Sequence, residues 1–331
     1  ATIGPDQILA ERSFNFIRTL SIHYTKLKYE AINSNSPSKL YYNGNGKPSN
    51  CLLTRLICNR HLNKVLNIIQ GMNKQNQDDL AFQTRIGRFL EILRLCAIAH
   101  PESTMSNVWF LPWLLEFINF DVTYIFFIQI FSYGQLYQNW LNANDFFVAA
   151  LNAAKELQNK IASAPKADID DLSNDIDNKK LENLFLLFSE FLSLKNFRDK
   201  CQSPFRLSKM IKIPCKDINS LTKHSTQYGD IEEMSNFHLD TLINFSHFLC
   251  VLYNKSTKKV FEDNLGEYVT FVRSLSEIEN LNPPTINSRI SPLKVNFMEL
   301  ISIIIDGIDE KDDKRIEKLF SISIPSSIPT V

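Results

Sequence analysis

Between Thr104 and Ile161 the chain reads TMSNVWFLPWLLEFINFDVTYIFFIQIFSYGQLYQNWLNANDFFVAALNAAKELQNKI, a stretch apolar on nearly every side. All three tryptophans of the chain, Trp109, Trp113 and Trp140, sit in it. A helix without a polar face is stable only when other protein or lipid surrounds it. Either the remaining sequence supplies neighbours for this stretch, or a bilayer does.

The bilayer is the weaker of the two. Val122–Leu141 carries no charged residue, and a span needs about 20 mostly apolar residues. Thr123, Gln129, Ser132, Gln135, Gln138 and Asn139 interrupt it, however, and Tyr133-Gly134 breaks it. The nearest basic residues are Arg94 upstream and Lys155 downstream, whereas spans are commonly anchored by Lys or Arg close to their ends. The stretch therefore reads as buried helix with no membrane span.

Composition narrows the fold class further. A chain of 331 residues can enclose a large core, as one elongated domain or two smaller ones. Nine glycines are few for an α/β nucleotide fold, whose tight turns and phosphate loops use glycine repeatedly. Zero formal net charge gives no global pull toward nucleic acid or acidic lipid. The six cysteines, Cys51, Cys58, Cys96, Cys201, Cys215 and Cys250, form no CxxC pair. That scatter points to free thiols in a reducing compartment, and hence to an intracellular protein of the cytoplasm or nucleus. Two sequons, at Asn244 and Asn254, fall in expected helices and read as chance. The first residue is Ala, so either an initiator Met is removed or the chain is a piece of a longer protein, and the second is the expectation.

Apolar periodicity places helices along most of the chain. They are expected at Asp6–Ile32, Cys51–Gln70 and Asp78–Ala99, with a loop at Asn33–Asn50. Three more fall in the apolar stretch, with breaks at Asp121 and Asn144. Residues 164–180, APKADIDDLSNDIDNKK, form an acidic connector between two halves. Helices resume at Leu181–Phe197, Glu232–Asn254 and Lys258–Glu279. Pro283, Pro284 and Pro292 fence off an extended loop before a last helix at Leu293–Ile305. The expected organisation is an N-terminal helical half (1–163), the connector (164–180), a C-terminal helical half (181–320) and a loose tail (321–331).

Roughly ten to twelve helices with no convincing hairpin make an all-α protein. Antiparallel helix pairs laid side by side give an irregular helical-repeat stack of the armadillo/HEAT-like kind. No fixed-period consensus runs through the chain, and a compact multi-helix bundle is the alternative.

The search for chemistry returns no catalytic, cofactor or metal residues. Gly44-Asn-Gly46-Lys47-Pro48-Ser49 has the look of a phosphate loop, but Pro48 removes a backbone donor where such a loop presents them. No HExxH or CxxC…H spacing joins the six histidines. His247 and Cys250 share a helix face and read as packing. No cysteine lies in an activating turn. The adjacent carboxylates Asp170-Asp171, Glu232-Glu233 and Asp312-Asp313 diverge on a helix and face solvent.

One charge asymmetry remains. Lys195, Arg198, Lys200, Arg206, Lys209, Lys212, Lys216 and Lys223 stand against Asp199 and Asp217 alone, directly after the acidic connector. Arg206, Lys209 and Lys212 are three apart, so a helix aligns them on one edge. Such a strip contacts an acidic partner segment or nucleic-acid phosphates, unless the connector itself neutralises it. The expected function is a non-enzymatic α-helical scaffold or adaptor mediating protein–protein interactions within a larger intracellular complex. Its partners are other proteins offering an acidic or helical segment. The alternative is a nucleic-acid- or chromatin-associated complex subunit that uses the strip at 195–223.

Overall fold

The computed structural model describes residues 12–16, 18–20, 22–23, 26, 80–99, 111–132, 138–139, 141, 145–163, 172–202, 207, 210–213, 237–281 and 284–308. These residues are predominantly helical and contain no strand, which makes the protein all-α. In chain order the main elements are α1 (Leu80–Ala99), a 3-10 helix (Leu111–Phe117), α2 (Asp121–Ser132), α3 (Phe146–Ser163), α4 (Leu172–Phe191), α5 (Lys195–Cys201), α6 (Leu239–Leu252), α7 (Lys258–Leu281) and α8 (Pro284–Gly307). The chain divides into two compact units, residues 1–146 and 147–331. The division falls in the first turn of α3, upstream of the stretch at 164–180.

In the first unit α1 packs on α2. The buried side chains of α1 are Ile86, Phe89, Leu90 and Leu93, and those of α2 are Thr123, Phe126, Phe127 and Ile130. Both sets follow the i, i+3, i+4, i+7 spacing that gathers side chains on one helix face. Helical residues between 12 and 26 are tied to α1 at two points. Arg18 Nε donates to Glu91 Oε1 at 2.6 Å, and the Arg88 guanidinium lies 5.4 Å from the centre of the Phe14 ring.

Thr123 is an exception on an apolar face: it is wholly buried, and its hydroxyl has no hydrogen-bond partner among the described residues. Burying an unsatisfied hydroxyl costs about 1–3 kcal/mol. Thr123→Val keeps the shape and removes that cost, so it should raise the unfolding free energy by about 1 kcal/mol. A urea midpoint that falls in the variant would show that the hydroxyl is satisfied after all.

The second unit is built on aromatic rings. Phe188 of α4 meets Phe197 of α5 at 5.4 Å and Phe248 of α6 at 5.7 Å between ring centres. Phe185, one turn earlier, meets Phe245 at 5.2 Å. Phe147 at the start of α3 closes on Phe191 and Phe197. A second aromatic group joins α7 to α8, with Phe271 at 4.7 Å and Tyr268 at 5.9 Å from Phe297. Rings at these distances and tilts gain edge-to-face attraction beyond their buried area. α6 packs against both α4 and α8, which joins the two groups into one core.

Several boundaries differ from the sequence expectation. The acidic stretch is helical from Leu172, so its second half is the first two turns of α4 and not a connector. Two of its polar residues turn inward: Asp177 and Asn178 are both buried. Asp177 is paired there with Lys160 of α3, and a buried carboxylate is tolerated when it has such a partner. Where it is described, the first expected helix of the apolar stretch is 3-10, at Leu111–Phe117. Pro112 lacks the N–H that a longer α-helix through this point would use. Pro284 and Pro292 do not fence a loop. Pro284 is the first residue of α8, a place where the missing N–H is no loss. Pro292 lies inside α8 but on its exposed side, where water can replace the lost bond. The expected helix Cys51–Gln70, the loop Asn33–Asn50, Trp109, Trp140 and the tail 321–331 lie outside the described residues. Among the described residues no helix is long and apolar enough to cross a membrane.

Candidate partner-binding surface

The basic strip rests on two short segments that the core holds from behind. After Phe191 the chain turns tightly, with Leu194 N–H donating to Phe191 O at 2.8 Å, and re-enters a helix at α5. Phe197 and Cys201 form the buried side of α5. Lys195, Arg198 and Asp199 are exposed and Lys200 is half-buried.

Two of these cations already serve the fold. Arg198 Nε donates to Leu192 O at 2.9 Å, satisfying a carbonyl left over at the end of α4. Lys200 Nζ lies 5.8 Å from the centre of the Phe147 ring, a cation–π contact. Lys195 shows no such contact among the described residues and is exposed in the first turn of α5.

The second segment is 207–213. Leu207, Met210, Ile211 and Ile213 are buried, and Lys212 between the last two is exposed. Two neighbouring side chains of α7 hold its backbone. Tyr268 donates its hydroxyl to Ile211 O at 2.9 Å, and Ile213 N–H donates to Glu267 Oε1 at 3.1 Å. Burial, reinforced by the Glu267 carboxylate, pushes the Tyr268 phenol far above its ordinary range, so it stays a donor. The apolar–Lys–apolar order, anchored on both sides, aims Lys212 outward. Lys212 sits in the bend after the helical residues. Arg206, Lys209, Lys216 and Lys223 lie outside the described residues, and the expected alignment of Arg206, Lys209 and Lys212 rests on two of them.

The acidic stretch, expected as a candidate counter-charge for the strip, is engaged elsewhere where it is described. Asp177 pairs with Lys160, and Asp175 Oδ1 lies 3.1 Å from His238 Nε2. The residue between them in helical register, Asn178, is the hinge of a polar joint that sequence reasoning missed. Its Oδ1 accepts the His238 N–H at 2.8 Å, its Nδ2 donates to Asn174 O at 3.0 Å, and the Thr241 hydroxyl donates to the Asn178 carbonyl at 3.2 Å. The joint supplies an acceptor to the N-terminus of α6, whose cap residue His238 makes no side-chain cap of its own. No local signal marks it, because its partners in α6 lie 60 or more residues away.

The remaining candidates have structural roles where described. Cys250 donates its thiol to Asn296 O at 3.4 Å across the α6–α8 contact. Burial, with the nearby Glu299 carboxylate, pushes the thiol up to about 12, which disfavours the nucleophilic thiolate at neutral pH. His247 is exposed on the same helix. No group of three or more His, Cys, Asp or Glu with metal-holding geometry occurs among the described residues. Asp170-Asp171, Glu232-Glu233, Asp312-Asp313 and the glycine loop at 44–49 lie outside them. Asn244 lies within α6, but Asn254 does not lie in a helix. Its Oδ1 accepts the N–H and hydroxyl of Ser256 in the turn joining α6 to α7. Set against known protein families, curated proteins and solved structures, the chain matches none.

Proposed function

We propose that this chain is a non-enzymatic α-helical scaffold that binds other proteins through its basic segments, within a larger intracellular complex. The observation that carries the reading is the anchoring of segment 207–213. Tyr268 and Glu267 fix its backbone to α7 while Lys212 is exposed. A cation on a backbone already held in place loses little freedom when a partner arrives, and preorganisation of this kind lowers the cost of binding. The partner chemistry that fits is an acidic segment.

Titrating the full chain with a polyglutamate peptide and, separately, with a duplex DNA oligonucleotide tests this. The peptide should bind, and Lys195→Glu with Lys212→Glu should weaken it by about tenfold, since like charges face each other at the contact. Unchanged affinity in that variant removes these residues as the site. Tighter binding to the duplex, with a steep loss on adding salt, would favour the nucleic-acid-associated reading instead. Crosslinking in cells that recovers no stoichiometric protein partner would overturn the scaffold reading.

A further inference from the structure

The turn that joins α6 to α7 holds an exposed hydroxyl among lysines. It reads Tyr253-Asn254-Lys255-Ser256-Thr257-Lys258-Lys259. Asn254 organises it. Its Oδ1 accepts the Ser256 N–H at 2.9 Å and the Ser256 hydroxyl at 2.6 Å, an arrangement in which an Asn side chain copies a backbone turn. The Asn254 carbonyl accepts the N–H of Thr257 at 3.0 Å and that of Lys258 at 2.9 Å, and the Asn254 N–H donates to Thr257 Oγ1 at 2.8 Å. The backbone on both sides of Ser256 is thereby fixed.

The two adjacent hydroxyls are unlike. Thr257 is wholly buried and donates its hydroxyl to Leu252 O at 3.2 Å. Ser256 is exposed, and among the described residues its hydroxyl is tied to Asn254 alone. Lys255 precedes Ser256 directly, and Lys258 and Lys259 follow two and three residues later. Lys255 and Lys259 are exposed. Lys258 Nζ stands 3.7 Å from Glu262 Oε1, a helix-surface pair that holds its cation weakly.

A protein kinase chooses its substrate largely by charge pattern, and acidic pockets beside its active site take flanking cations. Its cleft accepts a short irregular segment more readily than a helix, whose backbone is already paired. The other exposed serines compare poorly on that count. Ser13, Ser163, Ser288, Ser291 and Ser302 are helical, and Ser193 stands between the buried Leu192 and Leu194. Ser256 combines exposure, an irregular backbone and cations on both sides.

We propose that Ser256 is a phosphorylation site for a serine/threonine kinase that reads Lys255, Lys258 and Lys259. Ser256 Oγ attacks the γ-phosphorus of a nucleoside triphosphate held by the kinase. The new Oγ–P bond forms as the bond to the β-phosphate oxygen breaks, the hydroxyl proton passes to the kinase's carboxylate base, and the nucleoside diphosphate leaves. The product adds up to about two negative charges to a turn now dominated by cations. The inference stands apart from the basic segments and does not depend on the function proposed for them.

The test incubates the full chain with magnesium, ATP and a purified kinase selective for lysines on both sides of its target, and maps the product by mass spectrometry. Ser256 should be phosphorylated stoichiometrically and ahead of every other described serine. Lys258→Ala with Lys259→Ala should slow the reaction at Ser256 by about tenfold, because two of the recognised charges are gone. A kinase that selects acidic flanks should leave Ser256 unmodified. Circular dichroism checks that the lysine variant keeps the fold, and Lys255→Ala, which lies outside α7, gives a second reading if it does not. A synthetic peptide of residues 249–262 is the control for kinase activity. A peptide that is phosphorylated while Ser256 of the full chain is not shows that the folded turn withholds the hydroxyl, and overturns the site. Phosphate found on Thr257 in place of Ser256 also overturns it. A rate at Ser256 indifferent to all of the lysine changes overturns the recognition by charge.

Discussion

Phe188→Ala should lower the unfolding free energy by about 3–5 kcal/mol, the range for removing a buried aromatic ring and leaving its cavity. Phe188 is fully buried and stands where three helices meet. Its ring touches Phe185 within α4, Phe197 in α5 and Phe248 in α6. A cavity there cannot close by moving one side chain, since the surrounding rings are themselves fixed by Phe147, Phe191 and Phe245. Urea denaturation followed by circular dichroism reads the loss. Val295→Ala, on the exposed face of α8, is the matched control and should stay within about 0.5 kcal/mol of wild type. A Phe188→Ala loss no larger than about 1 kcal/mol would mean that α4, α5 and α6 do not share this core.

The second large effect is expected at Asn178. Replacement by Leu keeps the volume and removes both the acceptor for His238 N–H and the donor to Asn174 O. The Thr241 hydroxyl keeps the Asn178 main-chain carbonyl, so the damage falls on the cap of α6. Leaving a partly buried N–H without its acceptor costs about 1–3 kcal/mol. The effect should also be local. Amide hydrogen exchange should speed up in the first turn of α6 while α7 keeps its protection, because the end of a helix frays before its middle. Uniform acceleration across the second unit, or none at all, would show that Asn178 is not the piece that fastens α6 to α4.

These two sites differ in how far the sequence announces them. The stripe containing Phe188 is visible from spacing alone: Leu181, Leu184, Phe185, Leu187, Phe188 and Phe191 recur at helical intervals, and all are buried. The same holds for Ile86, Phe89, Leu90 and Leu93 in α1, and for Phe261, Leu265, Tyr268 and Leu275 in α7. Asn178 sits in a stretch that composition marks as a solvated acidic connector, yet it is fully buried. Nothing near it in sequence explains this. His238 and Thr241 do, and both come from the start of α6, 60 or more residues away. The basic strip is a mixed case. Its charge excess is plain in the sequence, but the duties of Arg198 at Leu192 and of Lys200 at Phe147 appear only when α5 is folded against the core. The anchoring of Ile211 and Ile213 by α7 is likewise a contact across more than 50 residues.

The sequence by itself determined that the protein is helical and which stripe of most helices turns inward, because burial of apolar side chains follows the local 3.6-residue period whatever the helices pack against. Only the tertiary structure decided where α4 begins, that α8 continues through Pro292, and which polar groups hold the helices in place. Those outcomes depend on donors, acceptors and charges brought together from distant parts of the chain, and on which side of a helix faces water. Local spacing carries no record of either.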